Sequence, residues 1–584
     1  MILRSALALF FAASAFPALG QTSAPSAETA RLFEPTTYRT PESTVALGNA
    51  VASAADPRAA EAGAEMLRGG GSAADAAAAM AIALTVVEPQ SSGLGGGGFA
   101  MLHDARTGRD TGFDGRETAP VAAVPTRFLG PDGKAMDFGE AVWGGRSVGV
   151  PGTVALAAAL HARAGKLPWA ALFGPAIRLA RDGWVLTPRF AKILAARRAM
   201  VSESAVAPML IDEHGRPYGA DTRVRNTALA LTLEAVARGG PEAFYYGKVA
   251  DQIVRAVAQA PRGAVPFTTA DLATYRVVER APVCGMYRGW RLCGMAPPSS
   301  GGIAVLQILG QLERFDLAKL GRDNPLAWHL LAESERLAFA DRETWTGDPG
   351  FVPVPTDGLL DTAYIAGRAK LIRIDRAMAH APAGQPPGAP LAPLASNSEV
   401  PGTSHIVAAD TAGNVVSWTS TIESIFGSGQ VAGGFFLNNE LTDFDFQPTR
   451  GGKPSPNALA PGKRPRSSMA PFLVYAPNGR FVGGVGAAGG ATIIAQVAKT
   501  LIAAIDWHEP IEDAIAEPNL YANGDRLAIE RGSRLEGMAA TLKALGHNVV
   551  SADLPSKAGG VMRAGEGWRA AADARTEGQA VAAR

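Results

Sequence analysis

Between residues 45 and 364 short apolar runs alternate with stretches whose hydrophobic positions recur every three to four residues. That period predicts amphipathic helices at 59–67, 154–164 and 326–342, with short strands between them: a mixed α/β core. Residues 73–87 differ: the run is alanine-rich and apolar on every side except for Asp75. It predicts a helix buried all round, and it is too short and too interrupted to span a bilayer. Past residue 403 the period changes to two. Residues 405–409 and 415–421 read as strands, and Asp410-Thr411-Ala412-Gly413-Asn414 between them has the chemistry of a turn. A hairpin centred on Ala412 sets Thr421 across from Thr403 and Thr419 across from His405, with all four side chains on one face. A one-residue bulge in the turn would aim Thr421 the other way. A second hairpin is predicted from 472–475, the Pro477-Asn478-Gly479 turn and 481–485. It runs into Gly486-Ala487-Ala488-Gly489-Gly490 and then a helix carrying Ile493, Ile494, Val497, Leu501 and Ile502.

Composition adds limits. The chain has 584 residues, 47% hydrophobic content and a formal net charge of +1. That is ample for a large core, and it gives no basic footprint for nucleic acid. No unit of 20–50 residues repeats, which argues against a solenoid or propeller. Residues 1–20 carry Arg4, an apolar run and small residues before Gln21, the pattern of a secretory signal. A mobile leader is expected over 21–44 and an exposed connector over 381–402, which holds six prolines. The mature protein is therefore expected to be exported, periplasmic or secreted, with no membrane span. Cys284 and Cys293 flank a predicted hairpin turning at Arg288-Gly289, which places them directly opposite one another. A structural disulfide and two free buried thiols both fit that placement. No clustered His/Cys set suggests a metal, and no cofactor is expected.

Chemistry concentrates at Gly402-Thr403-Ser404-His405, where the proline-rich run ends and a strand begins. If the bond after Gly402 is cut, Thr403 gains an α-amine beside its hydroxyl, so one residue supplies both base and nucleophile. An unperturbed α-amine has a pKa of about 7.7–8.0, so part of it is neutral near pH 7. The glycines at 486–490 lead into a helix N-terminus, where exposed backbone N–H groups can hold an oxyanion. Each feature has a plainer reading: a strand start, a tight strand-to-helix junction. Rival motifs fail on context. The Gly93–Gly98 run lacks the Lys-Ser/Thr of a phosphate loop, and Ser147 in Gly145-Arg146-Ser147-Val148-Gly149 is followed by Pro151-Gly152 instead of a helix.

Taken together the motifs resemble the gamma-glutamyltranspeptidase family of N-terminal nucleophile hydrolases over nearly the whole mature chain. The resemblance rests on Gly93-Leu94-Gly95-Gly96-Gly97-Gly98-Phe99, Phe113-Asp114-Gly115-Arg116-Glu117, Val148-Gly149-Val150-Pro151-Gly152, Pro297-Pro298-Ser299-Ser300-Gly301-Gly302, Thr403-Ser404-His405, Leu437-Asn438-Asn439-Glu440, Lys463-Arg464-Pro465, Arg466-Ser467-Ser468-Met469 and Gly489-Gly490. It implies an α+β fold, a four-layer αββα sandwich built jointly by the two subunits of a self-cleaved precursor. The cut is at Gly402-Thr403, giving a large subunit (45–402) and a small one (403–584) that form a heterodimer. It implies Thr403 as nucleophile, Thr421 holding it, and Gly489 and Gly490 as the oxyanion hole. Arg116, Ser467 and Ser468 would grip a γ-glutamyl donor's α-carboxylate. Glu423, Glu440 and Asp443 would take its α-ammonium, with Asn438 as support. The implied substrates are glutathione-like donors, with water or an amino-acid or peptide amine as acceptor.

Plainer readings stand beside these. Arg116-Glu117 reads by itself as a solvated pair, Asp443 and Asp445 as loop carboxylates, and His405 as an aid to processing or a structural histidine. Ser404 replaces the usual second threonine, Glu423 stands where some relatives carry asparagine, and Arg466 adds a cation before the serines. The loop 447–465 lacks the aromatic residue that some family lids lay over the donor, so a more open site is expected. Two other functions fit the same residues: an acylase for glutaryl or cephalosporin-type side chains, and an uncleaved binding protein for γ-glutamyl compounds. The acidic trio argues against the first, and the intact threonines and glycine pair argue against the second.

Overall fold

Ser72 starts the helix Ala73–Val87 with a capping box, its hydroxyl accepting from the Asp75 amide and the Asp75 carboxylate accepting from the Ser72 amide. All fifteen residues of that helix are buried, as its uniform apolarity predicts. It packs against Pro57–Arg68 so closely that a Cβ at Gly63 would meet Met80 at 2.7 Å. The computed structural model describes residues 44–390, 402–450 and 452–583. The expected signal, nearly all of the leader and positions 391–401 of the connector lie outside the described residues.

Two seven-stranded antiparallel sheets form the centre. One runs Gln579–Ala582, Val51–Ala54, Thr403–Ala409, Val415–Thr421, Gly97–Asp104, Arg109–Gly115, Val278–Arg280. The other runs Val45–Gly48, Gly567–Ala572, Gly559–Ala564, Phe481–Gly486, Phe472–Tyr475, Trp290–Gly294, Val283–Tyr287. Both sheets contain strands from before and after residue 402, so a cut there leaves the two pieces sharing each sheet.

Alternation along the strands builds the layers. Ile406, Ala408, Val416 and Trp418 point into the core shared with helices Pro57–Arg68 and Ala73–Val87. Val407, Ala409 and Val415 point the opposite way, into the core that includes the second sheet and helices Gly301–Leu312, Pro325–Trp345 and Thr492–Ile505. Ser417 spans the gap between sheets, its hydroxyl donating to the Val485 carbonyl at 3.1 Å. Full burial of a side chain such as Ile406 is worth about 1.5–3 kcal/mol. The order helix, sheet, sheet, helix is the expected αββα sandwich. Thr403, His405, Thr419 and Thr421 face its interior, between the sheets.

The hairpin has the expected pairing: Thr403 with Thr421 and His405 with Thr419. No bulge intervenes, because Asp410 and Asn414 close the turn through their backbones and the Asp410 carboxylate. Cys284 and Cys293 are paired and joined in a disulfide with Cα atoms 4.1 Å apart, which settles the choice left open above. Among the described residues no helix is long and apolar enough to cross a membrane.

Candidate active site

The first strand of the hairpin starts at Thr403, and its partner ends at Thr421. The Thr403 hydroxyl donates to Thr421 Oγ1 at 3.3 Å, and the Thr421 hydroxyl donates to the Gly402 carbonyl at 2.7 Å. The Glu423 amide donates to Thr421 Oγ1 at 2.7 Å, strengthening that hydroxyl as a donor. In this uncleaved chain the candidate nucleophile, the carbonyl before it and a polarising hydroxyl therefore form one hydrogen-bonded line. Glycines at 95–98 permit the close packing beneath it: a Cβ at Gly96 would meet the Thr421 carbonyl oxygen at 1.9 Å. That is the structural use of a glycine run rejected above as a phosphate loop.

Lys557 and Glu88 fix the same strand start. Lys557 Nζ donates to the Thr403 carbonyl at 3.0 Å, to Ser91 Oγ at 2.8 Å and to the Glu88 carboxylate at 3.1 Å. Glu88, the C-cap of helix Ala73–Val87, accepts the Ser404 hydroxyl and is 3.0 Å from Arg189. Lys557, Glu88 and Ser404 are all buried. Sequence reasoning missed Lys557 and Glu88, because neither carries a local motif and both are far from residue 403 along the chain.

His405 is buried on the same face, with Nδ1 3.0 Å from Thr419 Oγ1. Burial lowers its pKa from 6.5 to about 3, so it is neutral. A Cβ at Gly486 would meet its ring at 2.2 Å. These contacts fit the structural reading of His405.

The residues expected to hold a zwitterion also converge. Arg116, 1% exposed, pairs with Glu440 and Asp443. It also donates to the Arg466 carbonyl at 2.9 Å and the Pro465 carbonyl at 3.3 Å, just before the two serines. Of the five N–H donors of a guanidinium, one on Nη1 is left without a partner among the described residues. Burial opposes its charge, but Glu440, Asp443 and Glu117 raise its pKa above the ordinary value. Ser468 Oγ accepts from Arg342 at 2.8 Å, and Ser467 Oγ accepts from the Met469 amide at 3.2 Å. Ser300 secures this segment, its amide donating to the Ser467 carbonyl at 2.8 Å. Arg342 was not anticipated. Arg466 Nη1 reaches the Glu343 carbonyl at 3.4 Å, while Arg342 is the cation bonded to Ser468.

Glu117 corrects the reading of a solvated Arg-Glu pair. Its carboxyl is completely buried, close to Arg116, Glu440 and Asp443. Burial pushes Glu117 from 4.5 to about 8 against the pull of Arg116. Burial likewise raises Glu440, with Glu117 and Glu423 adding to the shift. Glu423 has φ 74°, a strained conformation worth about 1–3 kcal/mol, and its carboxylate accepts from Ser424 and Asn439. Asn438 is spent on backbone, accepting from the Gly149 and Glu440 amides and donating to the Gly95 and Gly149 carbonyls. Asp445 is the loop carboxylate of the pair, bonded to Ser455 and Asn457.

The loop over this region is less bare than expected. Gln447, Thr449, Gly452 and Pro454 are exposed, but Ser455, Asn457, Leu459, Lys463 and Arg464 are buried. Asn457 donates to the Asp443 carbonyl at 2.6 Å, and Lys463 Nζ to the Pro456 and Ala458 carbonyls at 2.7 and 2.9 Å. It has no aromatic cover, yet its second half is tied down.

Gly489 and Gly490, with φ 141° and 61°, precede helix Thr492–Ile505. Neither amide donates to an acceptor among the described residues. The Ala488 amide bonds the carbonyl of Lys557, the residue that holds Thr403, at 3.2 Å. The glycine pair is thus linked through Lys557 to the strand that starts at Thr403. Ser147, by contrast, is buried and donates to the Val142 and Gly144 carbonyls.

The profile of the gamma-glutamyltranspeptidase family matches residues 59–583. The chain is 39% identical over 479 residues to the glutathione hydrolase proenzyme of Bacillus subtilis (strain 168), covering 80% of each. It is 36% identical over 513 residues to the acylase ACY 1 proenzyme of Pseudomonas sp. (strain SE83), covering 86% of this chain and 88% of that one. The crystal structure of a cephalosporin acylase from Bacillus halodurans superposes with a TM-score of 0.80 at 27% identity, over 98% of this chain and 99% of that one.

Proposed function

Since the chain belongs to the gamma-glutamyltranspeptidase family, we propose that it cuts itself between Gly402 and Thr403 and becomes a two-subunit gamma-glutamyl hydrolase and transferase. The observation that carries this reading is the hydrogen-bonded line from Thr403 through Thr421 to the Gly402 carbonyl. In processing, Thr403 Oγ1 adds to the Gly402 carbonyl carbon, and the charge on that oxygen is met by the Thr421 hydroxyl. The C–N bond breaks, the nitrogen takes a proton, and an ester joins Gly402 to Thr403. Water hydrolyses the ester, leaving a Gly402 carboxylate and a Thr403 α-amine.

In turnover the neutral α-amine takes the Thr403 hydroxyl proton as Oγ1 attacks the donor's γ-carbonyl. The Gly489 and Gly490 amides receive the oxyanion, which is lost as the amide C–N bond breaks and the leaving amine is protonated. Water or an acceptor amine then takes the acyl group from Thr403. Ser467, Ser468 and the remaining Arg116 N–H meet the donor's α-carboxylate. Its ammonium is received by Glu440 and Asp443, with Glu423 adding negative charge. Glutathione-like donors and an exported location complete the reading, the latter supported by the signal pattern at 1–20.

The shape likeness to a cephalosporin acylase favours a second reading, an acylase for donors without an α-ammonium. The carboxyl cluster around Arg116 supports the first. Denaturing electrophoresis tests the cut: two chains, the smaller beginning Thr403-Ser404-His405, with Thr403→Ala giving one. A single active chain refutes it. A γ-glutamyl anilide hydrolysed much faster than the glutaryl anilide supports the first reading, and the reverse order the second.

A further inference from the structure

The peptide units that present the Gly489 and Gly490 amides are each held from behind. A trans peptide is planar, with its C=O and N–H pointing in opposite directions, so fixing the carbonyl fixes the amide. The Gly489 N–H shares a plane with the Ala488 carbonyl, which accepts from Gln496 Nε2 at 3.0 Å. The Gly490 N–H shares a plane with the Gly489 carbonyl, which accepts from Thr492 Oγ1 at 2.9 Å. Thr492 and Gln496 are one helical turn apart on Thr492–Ile505, so both side chains reach the same glycine loop.

Both are buried, Gln496 at 1% exposure, and both also reach the Pro555 carbonyl, at 3.1 and 3.0 Å. One hydroxyl and one primary amide hold three hydrogens, and four acceptors face them: the Ala488, Gly489 and Pro555 carbonyls and, for the amide, Thr492 Oγ1 at 2.9 Å. The amide orientation follows, because reversing it sets Oε1 against carbonyl oxygens. Ser556 Oγ lies 3.0 Å from Gln496 Oε1 on the other side of the amide, and its one hydrogen is shared between that oxygen and the Asp573 carboxylate. No Cβ fits at Gly489, where one would lie 2.7 Å from Thr492 Oγ1 and 2.8 Å from Gln496 Nε2. The positive-φ backbone at Gly489 is therefore pressed onto these two side chains.

We propose that Thr492 and Gln496 are positioning residues that hold both peptide planes of the oxyanion hole. They touch no substrate and act only through the two amides. The inference rests on the reading of Gly489 and Gly490 as oxyanion donors. It separates two steps done by one nucleophile: self-cleavage, whose oxyanion meets Thr421, and turnover, whose oxyanion meets the glycine amides.

The test uses the full-length protein with Thr492→Val, Thr492→Ser and Gln496→Met, scored for self-cleavage and for kcat and KM on a γ-glutamyl anilide. Loss of an oxyanion donor costs roughly 10²–10³ in kcat, and a donor misaligned but present should cost about ten- to a hundredfold. Thr492→Val and Gln496→Met are expected to lower kcat by that much with KM near wild type and self-cleavage at the wild-type rate. Thr492→Ser, which keeps the hydroxyl, should restore kcat. The proposal is overturned if both variants keep wild-type kcat, if self-cleavage slows in step with kcat, or if Thr492→Ser is as impaired as Thr492→Val. A cleaved wild-type protein with no turnover of γ-glutamyl or glutaryl anilide would instead refute the functional reading, and this inference with it.

Discussion

Replacing Thr421 by valine removes one hydroxyl while keeping the side chain's shape, so its consequence is chemical. Three hydrogen bonds disappear: 2.7 Å to the Gly402 carbonyl, 2.7 Å from the Glu423 amide and 3.3 Å from the Thr403 hydroxyl. The Glu423 amide is buried and is left without its acceptor, a stability cost of about 1–3 kcal/mol. The larger effect is kinetic. A donor aimed at a developing oxyanion is worth about 2.7–4 kcal/mol in the transition state, so self-cleavage should slow by roughly 10²–10³. Thr421→Ser keeps the donor and should cut at close to the native rate. The assay is a time course of precursor disappearance on denaturing gels, beginning with freshly purified uncut chain and with thermal unfolding run in parallel. A valine variant that matures within about threefold of wild type, a difference well under 1 kcal/mol, would refute the assignment of Thr421 to the Gly402 carbonyl.

Two further outcomes follow from the charge cluster. Arg116→Ala leaves Glu440, Asp443 and Glu117 buried beside each other without their cation; it should cost about 3–5 kcal/mol of stability, read by denaturant unfolding. Among molecules that remain folded, KM for a γ-glutamyl donor should rise roughly a hundredfold, and an unchanged KM would remove Arg116 from the donor site. Glu117 gives a pH signature, since burial raises it from 4.5 to about 8. Between those values the folded protein keeps a proton that the unfolded chain has released. Its contribution to stability therefore falls as pH rises through that window and levels off above it. Glu117→Gln should flatten this decline, gaining on wild type in melting temperature from pH 5 to pH 8; parallel pH profiles would contradict a Glu117 carboxyl that stays protonated in the fold.

The hairpin was legible because alternation and a five-residue turn leave a single pairing that buries Ile406 and Trp418 together, and that pairing brings Thr403 to Thr421. Helix Ala73–Val87 was legible for the same reason: no face of it could meet water. What stayed hidden was burial of charge. Arg116-Glu117 looks like countless surface pairs, and only the fold shows a fully buried carboxyl beside Glu440 and Asp443. Lys557, Glu88 and Arg342 were missed because their meaning lies in partners far along the chain, at Thr403, Ser404 and Ser468. Arg466 reaches the Glu343 carbonyl, and it is Arg342 that bonds Ser468. The loop at 447–465 was judged by composition, which records a missing aromatic but not the bonds from Asn457 and Lys463 that secure it.

The most direct test of Thr403 as an N-terminal nucleophile is to quench the working enzyme in acid during turnover of a γ-glutamyl donor and map the peptides by mass. The account predicts a small subunit whose first residue is Thr403, carrying one γ-glutamyl group as an ester on that residue and none in Thr403→Ala. A γ-glutamyl adduct on any other side chain, or steady turnover by a chain with residue 403 still internal, would contradict it.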